Sequence, residues 1–189
     1  VGLSAIVSEM VDLPRFISYL KVRGSFTEVG APIAKSGMTP GTITTPIVGG
    51  VLQPTHIYPY SDYKAERTKS YEFGLTARFL NKFNFDFTWY KSNTYNQTFD
   101  PKISASFGYS KFYVQTGYVR NMGMEGMLSY GHRWNEFGWN SNFTFSWNKN
   151  KIIELVKDFH HPETGKILNI PELEMNGLGY SRFILKEGG

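Results

Sequence analysis

Residues 69–92, KSYEFGLTARFLNKFNFDFTWYKS, decide the fold, because two alternating runs meet there at a short break. Tyr71, Phe73, Leu75, Ala77 and Phe79 share one parity, while Ser70, Glu72, Gly74, Thr76 and Arg78 share the other. That is the period of a strand with unlike faces; a helix would mix the two sets. After Leu80-Asn81-Lys82 the alternation resumes, with Phe83, Phe85, Phe87 and Trp89 opposed to Asn84, Asp86, Thr88 and Tyr90. The stretch reads as a β-hairpin.

The same period recurs on both sides. Leu20, Val22, Gly24 and Phe26 alternate with Tyr19, Lys21, Arg23, Ser25 and Thr27. Met124, Gly126, Leu128 and Tyr130 oppose Glu125, Met127, Ser129 and Gly131, and Trp139, Phe143, Phe145 and Trp147 oppose Gly138, Asn140, Asn142, Thr144 and Ser146. Val1–Val7 carries the end of a further strand. Ser8–Ile17 reads as a connection with room for one helical turn, Asp12 capping it ahead of Pro14. Ala31–Ala65, with its five prolines, is expected to be a long loop. Asn93–Phe112 is a second long connection before a short strand in Phe112–Val119. Lys149–Asn176 is a third, and Gly177–Lys186 begins another strand.

Connections therefore alternate between short and long, which places turns at one end of the sheet and loops at the other. Outer-membrane barrels have this arrangement, whereas a β-sandwich gives no reason for it. Each strong run covers about 9–11 residues, the span of a tilted membrane strand. Trp139 and Trp147 are ~27 Å apart along their strand and ~20 Å along the membrane normal, fit for opposite interfaces. A cation facing lipid near the midplane costs about 2–4 kcal/mol. Lys21, Arg23, Glu72, Arg78, Asp86 and Glu125 are accordingly assigned to a wet lumen, and their bulk favours a wide one. In this orientation Tyr71 lies near the outside of the cell and Phe79 near the periplasm.

The totals agree. The 189 residues hold 15 Phe, 12 Tyr and 4 Trp among 19 Gly, and no Cys. The absence of Cys removes disulfides and thiolate metal sites. A net charge of +4, scattered along the chain, gives no basis for nucleic acid as a partner. No segment approaches the roughly 20 apolar residues of a membrane helix. The chain opens VGLSAIVSEM, without a signal peptide, so it is expected to be a processed or internal piece.

At Tyr19–Gly30 (YLKVRGSFTEVG) and Thr68–Phe79 (TKSYEFGLTARF) the chain resembles the SusC-like TonB-dependent outer-membrane transporters. The likeness continues through Asp86–Gln97 (DFTWYKSNTYNQ), Asn121–Tyr130 (NMGMEGMLSY) and Phe143–Leu155 (FTFSWNKNKIIEL). The resemblance implies a barrel of roughly 22 strands, of which residues 1–189 supply a wall of about six antiparallel strands in a single barrel domain. It also implies a plug domain and TonB box outside this chain, and a SusD-like surface lipoprotein as partner. The TonB complex would act through the plug, and import of a glycan or peptide would need no cofactor and no enzymatic step.

Other chemistry was weighed. His160-His161 beside Glu163, with Glu154 upstream, has metal-ligand residue types, but adjacent histidines on an extended chain point apart, so no metal is expected. Asp86 and Glu125 read as lumen carboxylates rather than a glycosidase pair. Tyr58, Tyr60, Tyr63, Phe107, Tyr109 and Tyr113 are candidate loop contacts to a sugar or to the partner lipoprotein. A passive porin-like channel is the alternative function, and a soluble sugar-binding β-sandwich a weaker one that the apolar row Phe83–Trp89 opposes.

Overall fold

The computed structural model describes residues 1–32, 47–48, 51–52, 64–99, 113–160, 165–176 and 182–189. Its main feature is one antiparallel sheet built from β1 (Gly2–Ile6), β2 (Ile17–Ala31), β5 (Glu66–Phe79), β6 (Phe83–Phe99), β7 (Val114–Trp134) and β8 (Phe137–Glu154). The strands neighbour one another in that order, and β1 and β8 are its edges. Four residues after β1, Val7–Met10, form α1. Three two-stranded pieces complete the described residues: β3 (Ile47–Val48) with β4 (Val51–Leu52), β9 (Val156–His160) with β10 (Ile167–Ile170), and β11 (Glu172–Asn176) with β12 (Arg182–Lys186). The six strands are the open, partial barrel wall that the alternation predicts.

The chain divides into two compact units. The first joins Val1–Glu28, Thr68–Asn93 and Arg120–Asn150. Here the two faces separate by chemistry. Phe26 meets Tyr71 at 5.1 Å between ring centroids, Phe79 stacks on Phe83 at 5.1 Å, and Phe83 meets Tyr130 at 4.9 Å. Phe85 and Phe87, two residues apart, lie parallel on that same face. Trp139, Phe143, Phe145 and Trp147 of edge strand β8 are exposed on this side. Between the turns and the level of Tyr71 and Trp89, the charged groups lie on the opposite face with hydroxyls and amides.

Turn chemistry fixes the register. Leu80 and Asn81 have φ of 53° and 51°, and the Lys82 amide donates to the Phe79 carbonyl at 3.3 Å. Two successive left-handed residues make the turn whose twist matches that of the strands it joins. Asparagine tolerates this conformation, while leucine pays about 1–2 kcal/mol for it. At the next turn Asn135 again supplies the left-handed residue, with φ of 49°. One side-chain and one backbone bond confirm the pairing: Ser70 Oγ donates to Ser92 Oγ at 3.1 Å, and the Gly131 amide to the Lys82 carbonyl at 2.9 Å.

The second unit joins Val29–Arg67, Thr94–Val119 and Lys151–Gly189. It holds the small buried cluster of the chain, Phe99, Leu155, Val156 and Leu173, flanked by Ile152, Ile170 and Leu185. Gln115 acts there as a backbone surrogate. Its Nε2 donates to the Lys64 carbonyl at 2.7 Å, and its Oε1 accepts the Lys64 amide at 2.8 Å. Glu187 Oε1 accepts the Leu155 amide at 2.9 Å. Lys186 Nζ lies 2.6 Å from Glu172 Oε1, a hydrogen-bonded carboxylate that raises the lysine's pKa.

Several sequence expectations need correction. The strands are longer than a membrane span: β6 has 17 residues, β7 has 21 and β8 has 18. Strand β6 thus continues to Phe99 through what reads as a loop after Ser92, and β7 unites the short strand in Phe112–Val119 with the run from Asn121. Likewise β8 reaches Glu154, and most of the following segment forms β9, β10 and β11 rather than a loop. Inter-strand backbone bonds do not require apolar alternation, so pairing persists after the hydrophobic signature stops. The helical turn lies at Val7–Met10, before Asp12, which therefore does not cap it; the residue at its N-cap is Ile6.

The face assignment has a direct test. A cation at Phe85 or Phe87 (Phe85→Arg, Phe87→Lys) is expected to cost about 2–4 kcal/mol and to lower recovery of the heat-modifiable folded form in outer membranes. Asn84→Lys, on the other face, should be recovered like the parent. Equal loss from both faces would reject the assignment.

Candidate functional site

Strand alternation puts Arg23, Gly74, Thr76, Asp86 and Thr88 on the polar face of three adjacent strands, β2, β5 and β6. Arg23 reaches across β5 to β6. Its Nη2 donates to Asp86 Oδ1 at 3.2 Å and to Thr88 Oγ1 at 2.6 Å. Nη1 donates to Asp86 Oδ2 at 3.4 Å and to Thr76 Oγ1 at 3.3 Å. Thr76 Oγ1 in turn donates to Asp86 Oδ2 at 2.7 Å. The guanidinium and carboxylate face each other in the two-pronged manner their planar shapes favour.

The crossing is possible because the middle strand has no side chain at that point. A Cβ on Gly74 would run into Arg23 Nε, Cγ and Cζ. Gly74 is therefore a floor over which the arginine lies, and its φ is unremarkable. A comparable close approach occurs at Gly123, where an added Cβ would lie 2.5 Å from Tyr90 Oη and 2.5 Å from the Trp147 carbonyl oxygen. Asn148 Nδ2 donates to that Tyr90 hydroxyl at 2.9 Å and to Asn121 Oδ1 at 2.8 Å, tying β6, β7 and β8 together.

The other sequence candidates distribute around this clip. Glu72 is exposed and, with Arg23, Ser4 and Ser25, lines a shallow depression over β1, β2 and β5. Glu125 shares a second depression with Asp86, Thr88, Thr144 and Ser146. Arg78 sits 5.7 Å from the centre of the Tyr19 ring, a cation–π contact nearer the turn end. Lys21 is half-buried on β2. Only Arg23 and Asp86 of the six form an ion pair with each other. Tyr113 is 7% exposed, a buried ring within its own unit. Tyr58, Tyr60, Tyr63, Phe107 and Tyr109 lie outside the described residues, as do His161 and Glu163. Among the described residues no three His, Asp or Glu side chains cluster as metal ligands.

Sequence reasoning did not single out Thr76, Thr88 and Gly74. Their signal is weak: threonines and a glycine at the parity of Arg78 and Asp86 become partners only once the register is known. The two depressions are lined on their polar side by carboxylates and hydroxyls.

A family model described as TonB dependent receptor-like, beta-barrel, matches residues 11–188. A search of curated proteins finds no match. Among solved structures, the RagAB peptide transporter is similar with a TM-score of 0.66 and 18% identity, covering 92% of this chain and 20% of that one. The RagAB peptide importer in its 'closed-closed' state has a TM-score of 0.68 and 14% identity, covering 100% and 24% of the two chains. Its 'open-open' state gives 0.67 and 15%, with the same coverage. At these identities the likeness is one of fold, and the chain spans a fifth to a quarter of the structures it resembles.

The clip predicts a coupling. In a double-mutant cycle, Arg23→Gln and Asp86→Asn should couple by roughly 0.5–1 kcal/mol, since both side chains are about one-third exposed. Gly74→Val should displace the arginine and bring the coupling to zero. The check is the denaturant midpoint of the complete barrel; additive single effects in the Gly74 parent would reject the clip.

Proposed function

Because the chain belongs to the TonB dependent receptor-like β-barrel family, we propose that it is a wall segment of an outer-membrane transporter that actively imports a nutrient too large for passive pores. The observation that carries this reading is the family match over residues 11–188, nearly the whole chain. Support comes from the six-stranded open sheet with one aromatic and one polar face. In the complete protein such a wall would continue into a larger closed barrel, since a sheet with open edges does not stand in hydrocarbon. A plug carried elsewhere in the protein would couple the channel to the TonB complex, and a SusD-like lipoprotein would cover the outer mouth.

The cargo is an oligosaccharide or a peptide. The similar structures are those of a peptide transporter and a peptide importer, which makes peptide the first to test. In this function Arg23, Asp86, Glu72, Glu125, Lys21 and Arg78 face the lumen. Arg23 and Asp86 brace the wall, while the exposed Glu72 and Glu125 present negative charge to the passing solute.

The defining experiment is uptake of labelled peptides and oligosaccharides by whole cells expressing the complete transporter, with and without TonB. Uptake is expected to fall to background without TonB. Undiminished uptake would instead establish a passive channel.

A further inference from the structure

On the aromatic face, charge is confined to one end of the sheet. Following that parity from the turns outward, β2 runs Leu20, Val22, Gly24, Phe26 and then Glu28. Strand β5 runs Phe79, Ala77, Leu75, Phe73, Tyr71 and then Lys69, and β6 runs Phe83, Phe85, Phe87, Trp89 and then Lys91. Strand β7 reaches Arg120 after Tyr130, Leu128, Gly126, Met124 and Met122, and β8 reaches Lys149 after Phe143, Phe145 and Trp147. No Asp, Glu, Lys or Arg breaks this face between the row and the turns.

Contacts show that these residues form a transverse row two side chains deep rather than scattered positions. Lys69 Nζ is 3.8 Å from Glu28 Oε1. Ser70 bonds to Ser92, which sets Asn93 opposite Lys69 and Lys91 opposite Tyr71, one strand on and one side chain nearer the turns. Arg120 Nε donates to Asn93 Oδ1 at 3.1 Å, which places Arg120 next in line. Asn148 bonds to Tyr90 and Asn121 on the polar face, so its neighbour Lys149 stands at the same height on the aromatic one. All lie within the first unit. Four cations thus accompany one acid, and among the described residues Lys91 and Lys149 have no ion-pair partner.

We propose that this row is a binding surface for the phosphate-bearing headgroups of outer-leaflet lipid; the inference rests on the outer-membrane reading under Proposed function and on the loop-outward orientation expected from the sequence. The row sits directly beyond the Trp89–Trp147 level, where hydrocarbon gives way to headgroups, and at the loop end, which faces out of the cell. General interfacial anchoring of long cationic side chains would place them at both ends of the face. Here the turn end of that face offers Phe79, Phe83, Tyr130, Trp134 and Trp139 instead. A one-sided basic row matches an asymmetric, anionic leaflet.

The test titrates the complete transporter in non-ionic detergent with lipid A carrying its phosphates and with dephosphorylated lipid A, read by native mass spectrometry. The parent should retain the phosphorylated lipid at least threefold better, and Lys91→Gln/Lys149→Gln should abolish that preference. Lys149→Gln alone, on an edge strand, should at least halve it. Lys82→Gln, at the turn end, should leave it unchanged. Equal retention of the two lipids by the parent, or an undiminished preference in both lysine variants, would overturn the inference. A heat-modifiable barrel recovered from outer membranes with no such preference sinks this inference alone; a parent that never enters outer membranes sinks the transporter reading with it.

Discussion

A backbone crossing hydrocarbon has no water to bond, so every amide and carbonyl in the span needs a neighbouring strand. The rest of the structure follows from that requirement. It forces the chain into long antiparallel strands, makes tight turns valuable, and leaves the side chains to sort by face. Between Tyr71 and Trp89 the sorting is complete: Tyr71, Phe, Trp and Leu on one side, Thr, Asp, Glu and Arg on the other. By the same requirement, β1 and β8, each paired on one side only, are the two places where this open sheet leaves backbone groups without a strand neighbour.

Backbone pairing sets neighbour to neighbour, and the Arg23 clip adds a constraint at second-neighbour range. By lying over Gly74, the guanidinium joins β2 to β6 without displacing β5. A slip of two residues at either strand junction would preserve the faces but would separate Arg23 from Asp86 or put a side chain beneath it. The ion pair therefore specifies register more than it adds stability. Its one-third exposed groups interact through a well-screened medium, and their net gain is small.

Strand faces were legible in the sequence because a period of two needs only local composition, and Phe83-Asn84-Phe85-Asp86-Phe87 leaves one solution. The turn at Leu80–Lys82 was legible as a short break between such runs. Strand ends were not, since residues such as Thr94–Gln97 extend β6 through backbone bonds that carry no hydrophobic signature. The clip was half legible. Arg23 and Asp86 declared themselves as charges that must avoid lipid, but their pairing across 63 residues depends on register, as do the roles of Thr76, Thr88 and Gly74. Tyr113, an aromatic that composition alone made a contact candidate, is buried against its own unit.

The cationic row also bears on how the wall is built. With the loop end outward, as proposed, a chain arriving from the periplasm would leave its turn end behind while the Lys69, Lys91, Arg120 and Lys149 end crossed. Each cation passing the midplane faces a barrier of about 2–4 kcal/mol. Crossing is made easier for strands that travel as closed hairpins, backbone already paired, with β5 and β6 joined by the Leu80–Asn81 turn. Once outside, the same charges face that barrier in reverse. In that orientation the row would act as a kinetic latch, slowing retraction more than insertion once the aromatic face rests in lipid.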